Sequence, residues 1–147
     1  MKRIVVGIDP ASDTDSLIEW IAGFADDLGA RVDLAYVVPR ATLWMVSGAR
    51  GDSNEYLRAL RSYFERHVVE RLHAQGIAAN VQILCGDPAK ELSLLARRVG
   101  ADLIAIGGAD HCALHDIVFG GFAHRLEHHS DVPVVVIPLE NPTKHPV

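Results

Sequence analysis

The sequence predicts an α/β protein built on an open, doubly wound sheet of five parallel strands, with helices on both faces in a Rossmann-like arrangement. Three observations predict it. Short, nearly all-apolar runs recur along the chain, as expected of strands covered on both faces. Segments with apolar residues at helical spacing separate them. Glycines stand where two of those helices should stop. Five strands with four intervening helices describe a parallel sheet joined by helical crossovers.

The first run, Arg3 to Ile8, reads as a strand. Leu17, Ile18, Ile21, Ala25 and Leu28 then share one helical face, and Gly29 ends it. Val32 to Val38 is the second strand, and Leu57, Leu60, Phe64, Val68 and Leu72 mark a second amphipathic helix closed by Gly76. Ile77 to Leu84 is the third strand. Pro88 suits a first helical turn, where its missing N–H costs nothing, and Leu92, Leu95, Ala96 and Val99 give that helix its buried stripe. Leu103 to Ile106 is the fourth strand, Gly121 to His129 a fourth helix, and Val134 to Ile137 the fifth strand. The longest piece without a pattern is Pro39 to Ser53, a length that suits a functional cover or a mobile segment.

Length and composition limit the function classes. A chain of 147 residues suits one domain, here residues 1–138, followed by a loosely held tail, residues 139–147, that carries Pro142 and Pro146. The hydrophobic fraction of 49% and charged fraction of 22% are ordinary for a globular protein. The net charge of −5 argues against a nucleic-acid partner, which calls for a basic face. No apolar run approaches the roughly 20 residues needed to span a membrane, and the start MKRIVVGIDPASDTDS lacks the apolar region of a signal peptide. A cytoplasmic protein is expected, with Cys85 and Cys112 as plain thiols.

In sheets of this kind ligands bind beyond the carboxyl ends of the strands, where the strand order reverses. That rule selects Asp9 after the first strand, Val37 to Pro39 after the second, and Gly107-Gly108 after the fourth. Gly120-Gly121, followed by Phe122, is expected to open the fourth helix. Backbone N–H groups at a helix start make an anion site, and glycine lets an anion approach without a Cβ in the way. Spacing alone leaves two readings of the glycine pairs, a phosphate cradle or tight turns.

Several other features compete for attention. His111, Cys112 and His115 lie in the stretch between the pairs, and His124 and His128 stand one helical turn apart. An i, i+4 histidine pair can hold one metal ion; solvated helix histidines are the plainer reading. Trp44 and Met45 could cover a pocket or meet a partner, and the favoured reading is that they cap a core edge. Arg58, Arg61, Arg66 and Arg71, interleaved with Glu55, Glu65 and Glu70, read as a solvated, salt-bridged helix face. The sequence has no GxxxxGK[ST] loop or GxSxG elbow, and no catalytic set is assembled, so enzyme function is not expected.

IVVGID near the start, GDPAKELSLLARRVGADLIAIGG in the second half and VPVVVIP near the end together resemble the universal stress protein family over residues 3–138. The resemblance implies the adenine nucleotide alpha hydrolase-like form of the fold. It also implies a stress-response regulator that binds ATP, with or without Mg²⁺, and a homodimer formed by pairing the last strand, here Val134 to Ile137. Nucleotide-binding members carry Gly, two residues, Gly, nine residues, then Gly and a hydroxyl residue. Gly107 matches the first position and Gly120 the third; Asp110 replaces the second glycine and Gly121 the hydroxyl residue. Asp9 matches the acidic residue near the adenosine, Val37 the apolar residue that ends the second strand, and Ile106 precedes the first motif glycine.

The two changes differ in weight. Gly121 forgoes one hydrogen bond, about 1 kcal/mol. A carboxylate at Asp110 about 4 Å from a phosphate charge is repelled by roughly 1 kcal/mol in water and ~4 kcal/mol at an effective dielectric of 20. An outward-turned side chain or an intervening Mg²⁺ would cancel that penalty. The alternative is a stress protein without nucleotide that acts through protein–protein contacts.

Overall fold

The computed structural model describes residues 2–9, 14–48, 53–109 and 113–139, with backbone only for 108, 109, 113–120, 138 and 139. The chain forms β1 (Lys2–Gly7), α1 (Thr14–Leu28), β2 (Ala30–Val38), α2 (Arg40–Gly48), α3 (Ser53–Phe64), a π-helical turn (Glu65–Val69), α4 (Glu70–Ala74), β3 (Ala79–Cys85), α5 (Pro88–Val99), β4 (Leu103–Ala109), α6 (Ala113–His129) and β5 (Val134–Leu139). All strand pairs are parallel, in the order β3-β2-β1-β4-β5. The order reverses between β1 and β4, the switch point that the fold class requires.

The unbroken apolar runs are explained by the pleat. Alternate side chains leave opposite faces of a strand, and both faces here are covered. Ile4, Val6 and Ile8 join Val32 and Leu34 in a layer with Leu17, Ile18, Ile21, Phe64, Val68 and Leu72. Val5, Ala35, Val37, Ile104 and Ile106 fill the opposite layer with Leu92, Leu95 and Leu126. Among the described residues two polar side chains are buried: Ser93, whose hydroxyl donates to Ala89 O at 2.8 Å, and Asp33, fully inside, paired with Arg3 and accepting a 2.8 Å hydrogen bond from Asn80 Nδ2. The hydrogen bond to Asp33 holds the Arg3 guanidinium pKa above its ordinary value.

The termini of α5 follow from local chemistry. Asp87 caps the helix by accepting from Lys90 N at 3.1 Å, Pro88 occupies the first turn, and Gly100 ends it at φ 68°. The left-handed angle at Gly100 is one that a Cβ would resist.

Four boundaries differ from the sequence expectation. The stretch Pro39 to Ser53 contains α2, because Ala41 to Ser47 holds no breaker and Pro39 O accepts from both Thr42 N and Leu43 N. The helix expected across Leu57 to Leu72 is interrupted by the π turn, whose wider pitch lets Phe64, Val68, Val69 and Leu72 all reach the core. Strand β4 does not break at Gly107-Gly108; pairing with β5 carries it on to Ala109 and carries β5 through Pro138 to Leu139. The final helix starts at Ala113 rather than Gly121, so Gly120 and Gly121 lie in its interior. Glycine disfavours a helix by about 1 kcal/mol per residue, which the continuous backbone ladder outweighs here. Asp110, His111, Cys112 and residues 140–147 lie outside the described residues. Among the described residues no helix is long and apolar enough to cross a membrane.

Candidate functional site

The carboxyl edge of the sheet is split at the switch point. The ladder between β1 and β4 ends at Gly7↔Ile106. The β1–β2 ladder closes with Ile8 N donating to Ala35 O at 2.8 Å. Strand β4 follows β5 for three more pairs, Gly107↔Ile137, Gly108↔Pro138 and Ala109↔Leu139. Among the described residues the β1-facing edge of Gly107 and Gly108 has no ladder partner, at a place where two successive residues have no Cβ. Such a backbone edge can receive an anion.

The flanks of this crevice are set by the residues around it. Val37 and Ile106 are 6% and 2% exposed and belong to one apolar cluster, with Phe122 packed against it. Asp9 is exposed at the end of β1. Gly7 must lack a side chain, since a Cβ there would come within 3.0 Å of Leu92 Cδ1 and 3.4 Å of Ile106 Cγ2. Helix α5 therefore packs close beneath the mouth of the crevice.

Helix α6 packs beside α5. Arg125 Nη1 lies 3.3 Å from Asp87 Oδ1 at the very start of α5. Phe122, Ala123 and Leu126 contact the core cluster, while Gly121 would place a Cβ in open space.

On the other face, Tyr36 near the end of β2 packs its ring on Phe64 at 5.7 Å between centroids. Burial holds the Tyr36 phenol above its ordinary pKa, with further contributions from the charges of Asp9 and Tyr56. Tyr36 is a hydroxyl residue in an otherwise apolar run one residue before Val37, and the sequence reading did not single it out.

The structure thus brings Asp9, Val37, Ile106, Gly107 and Gly108 to the carboxyl ends of the neighbouring strands β2, β1 and β4, and Phe122 to the apolar cluster there. It places Gly120 and Gly121 inside a helix, where their N–H groups belong to the helical ladder, so they do not open that helix as expected. His124 and His128 are exposed on α6, and His115 lies in its first turn. Among the described residues no group of three metal-ligating side chains comes together. Trp44 and Met45, expected to cap a core edge, are 82% and 70% exposed on a helix with no buried residue. Of the arginines, Arg61 pairs with Glu65 at 3.2 Å and Arg71 with Asp15 at 2.8 Å, as a solvated face would. A separate cavity of about 500 Å³ runs between α1 and α4, lined by Asp15, Glu19, Asp26 and Arg71 over Ile18 and Ala22. It includes none of the residues selected from the sequence.

Comparison with known proteins gives the same architecture. The hypothetical protein MJ0577 superposes with a TM-score of 0.71 at 22% identity, covering 95% of this chain and 97% of that one. The universal stress protein of Archaeoglobus fulgidus in complex with dAMP gives 0.64 at 22% identity, covering 93% and 98%. At these identities the likeness concerns the fold. The stress response protein NhaX of Bacillus subtilis is 35% identical over 66 residues, which span 45% of this chain and 40% of that protein. The sequence profile of the universal stress protein family matches residues 1–138, from the first strand to Pro138 in the last. Sheet order, the split carboxyl edge and that match agree, and the chain belongs to the universal stress protein family.

Proposed function

We propose that this chain is a cytoplasmic stress-response regulator that binds an adenine nucleotide, ATP with or without Mg²⁺, in the crevice between β1 and β4. The observation that carries the reading is the Cβ-free backbone edge of Gly107-Gly108, which among the described residues has no ladder partner on the β1 side, where the chain leaves β1 for Asp9. The donors and surfaces there suit the ligand: backbone N–H groups for phosphate, a carboxylate at Asp9 for sugar hydroxyls, and apolar flanks at Val37 and Ile106 for the base. A relative of the same fold is in complex with dAMP, which supports an adenine nucleotide as the ligand class. Asp110 weakens the triphosphate through repulsion, and Mg²⁺ between the two charges offsets this. The copy number follows from β5, an edge strand with Val136 42% exposed, which pairs with the same strand of a second copy.

Thermal melting with and without millimolar Mg-ATP tests the nucleotide. A rise in melting temperature supports it, and no shift with no nucleotide carried through purification rejects it. Asp110→Gly then strengthens binding; unchanged or weaker affinity removes the repulsion argument.

A second reading, a protein-interaction role without nucleotide, is favoured by the exposure of Trp44 and Met45 on α2. It predicts that ATP leaves the melting temperature unchanged.

A further inference from the structure

Helix α2 has two faces of unequal depth. Thr42, Leu43 and Val46 are half-buried, and the helix packs on α3. Arg40, Ala41, Trp44 and Met45 are exposed on the opposite face, where Trp44 lies one turn from Arg40 and Met45 one turn from Ala41. A helix with apolar residues on both faces is ordinarily covered on both, yet Trp44 and Met45 stand in solvent. The charge around this face is opposite to that of the molecule. Helices α2 and α3 carry Arg40, Arg58 and Arg61 against one acid, Glu55, in a chain of net charge −5. Among the described residues Arg61 pairs with Glu65, and no ion pair takes up Arg40 or Arg58. Screening limits what a nearby surface senses to about 10 Å at 0.1 M salt, so this local excess counts for more than the net charge.

We propose that the outward face of α2 docks on an anionic lipid surface, with Trp44 and Met45 entering the headgroup layer and Arg40 meeting lipid phosphates. Tryptophan suits that layer, because its ring is apolar and its N–H is polar. Arginine on the same stripe supplies the attraction that holds a short apolar face at such a surface. Area decides between a lipid surface and a protein partner. Trp44, the larger of the two apolar side chains, offers roughly 200 Å². A stable protein interface takes about 800 Å² from each partner. A bilayer interface takes in side chains singly, and apolar area and positive charge add to one another there. The inference is separate from the nucleotide reading, which melting with Mg-ATP tests by itself, and it gives the exposed helix a partner other than a protein.

The test mixes the chain with vesicles of equal parts phosphatidylglycerol and phosphatidylcholine, and with vesicles of phosphatidylcholine alone, and reads binding by flotation. The chain has two tryptophans, so Trp20→Phe leaves Trp44 as the fluorescent reporter. The expected result is that the native chain floats with the anionic vesicles only, and that Trp44 emission moves to shorter wavelength with them. Salt at about 1 M, where screening reaches ~3 Å, releases the chain. Trp44→Ala weakens binding by about tenfold or more. Arg40→Ala weakens it by about fivefold, the worth of one cation at an anionic surface. Both variants keep the native melting temperature, since both side chains are exposed. A native chain that does not float at millimolar lipid overturns the inference, and so does equal flotation with both vesicle types. Unchanged binding in Trp44→Ala overturns it as well. A native dimer that Trp44→Ala dissociates, with no vesicle binding, assigns the face to a second copy and overturns it too.

Discussion

Arg125 on α6 reaches Asp87, the cap of α5, with 3.3 Å between Nη1 and Oδ1, while the other oxygen of the same carboxylate accepts from Lys90 N at 3.1 Å. One side chain therefore both starts a helix and ties it to its neighbour. The two tasks differ in weight. A lost side-chain cap costs about 1 kcal/mol, whereas an ion pair with half-exposed partners contributes less. Asp87→Ala should lower stability in urea by about 1 kcal/mol and Arg125→Ala by about 0.3 kcal/mol. Equal losses in the two variants would contradict this division.

The buried pair of Arg3 and Asp33 should respond asymmetrically. Asp33 is wholly inside, and Arg3 has a third of its side chain in solvent. Removing Arg3 strands a carboxylate with Asn80 as its remaining partner, at a cost of about 3 kcal/mol. Asp33→Asn leaves a guanidinium that can turn to water, at about 1 kcal/mol. Urea denaturation of Arg3→Ala and Asp33→Asn checks the order; the reverse order would contradict it.

Three glycines should behave in two ways when replaced by alanine. A Cβ at Gly23 or Gly121 meets nothing within 4 Å, and each lies within a helix. Gly23→Ala and Gly121→Ala should each stabilise by about 0.5 to 1 kcal/mol and raise helical circular dichroism slightly. Gly7→Ala pushes on Leu92 and Ile106 and should destabilise by about 1 kcal/mol.

Alkaline stability should depend on Tyr36. Its folded pKa lies above the unfolded value near 10, so this group's contribution is complete below about pH 10 and is lost as pH rises through the folded pKa. The unfolded chain releases the proton first, and ionisation then favours unfolding. Tyr36→Phe should flatten the decline in melting temperature above about pH 10, relative to the native chain. An unchanged alkaline slope would show that the phenol carries no such linkage.

Val136 on the outer strand gives a test of the dimer. Val136→Glu puts a charge on the edge that a second copy would cover, and sedimentation equilibrium should report a monomer where the native chain is a dimer. A native monomer, or a variant that stays dimeric, counts against pairing through β5.

The fold was legible because burial on both faces leaves a plain mark. Runs such as Ile4 to Val6 and Val32 to Leu34 have almost no polar interruption, and each consecutive residue serves an opposite layer. The interruption that does occur, Asp33, could not be read as buried, since its partners Arg3 and Asn80 come from other strands. Glycine misled at both pairs for one reason. Local preference marks a break, but the ladder to β5 at Gly107-Gly108 and the helical ladder at Gly120-Gly121 provide backbone partners that preference cannot see. The candidate residues Asp9 and Val37 were selected from topology, which places strand ends, and Ile106 from the family pattern.

The crevice owes its existence to arithmetic between neighbours. Strand β4 outlasts its ladder with β1 by three residues on the β5 side, a step of about 10 Å at 3.3 Å per residue. The notch is therefore a stair in the sheet's upper edge. Changing a side chain such as Asp9 alters what the stair presents, not the stair itself. Removing it would take insertion into β1 or deletion from the β4–β5 pair, so the cleft is protected against point substitution in a way that its chemistry is not. Descendants of such a chain could exchange one ligand for another, or lose the ligand, while the empty step persisted.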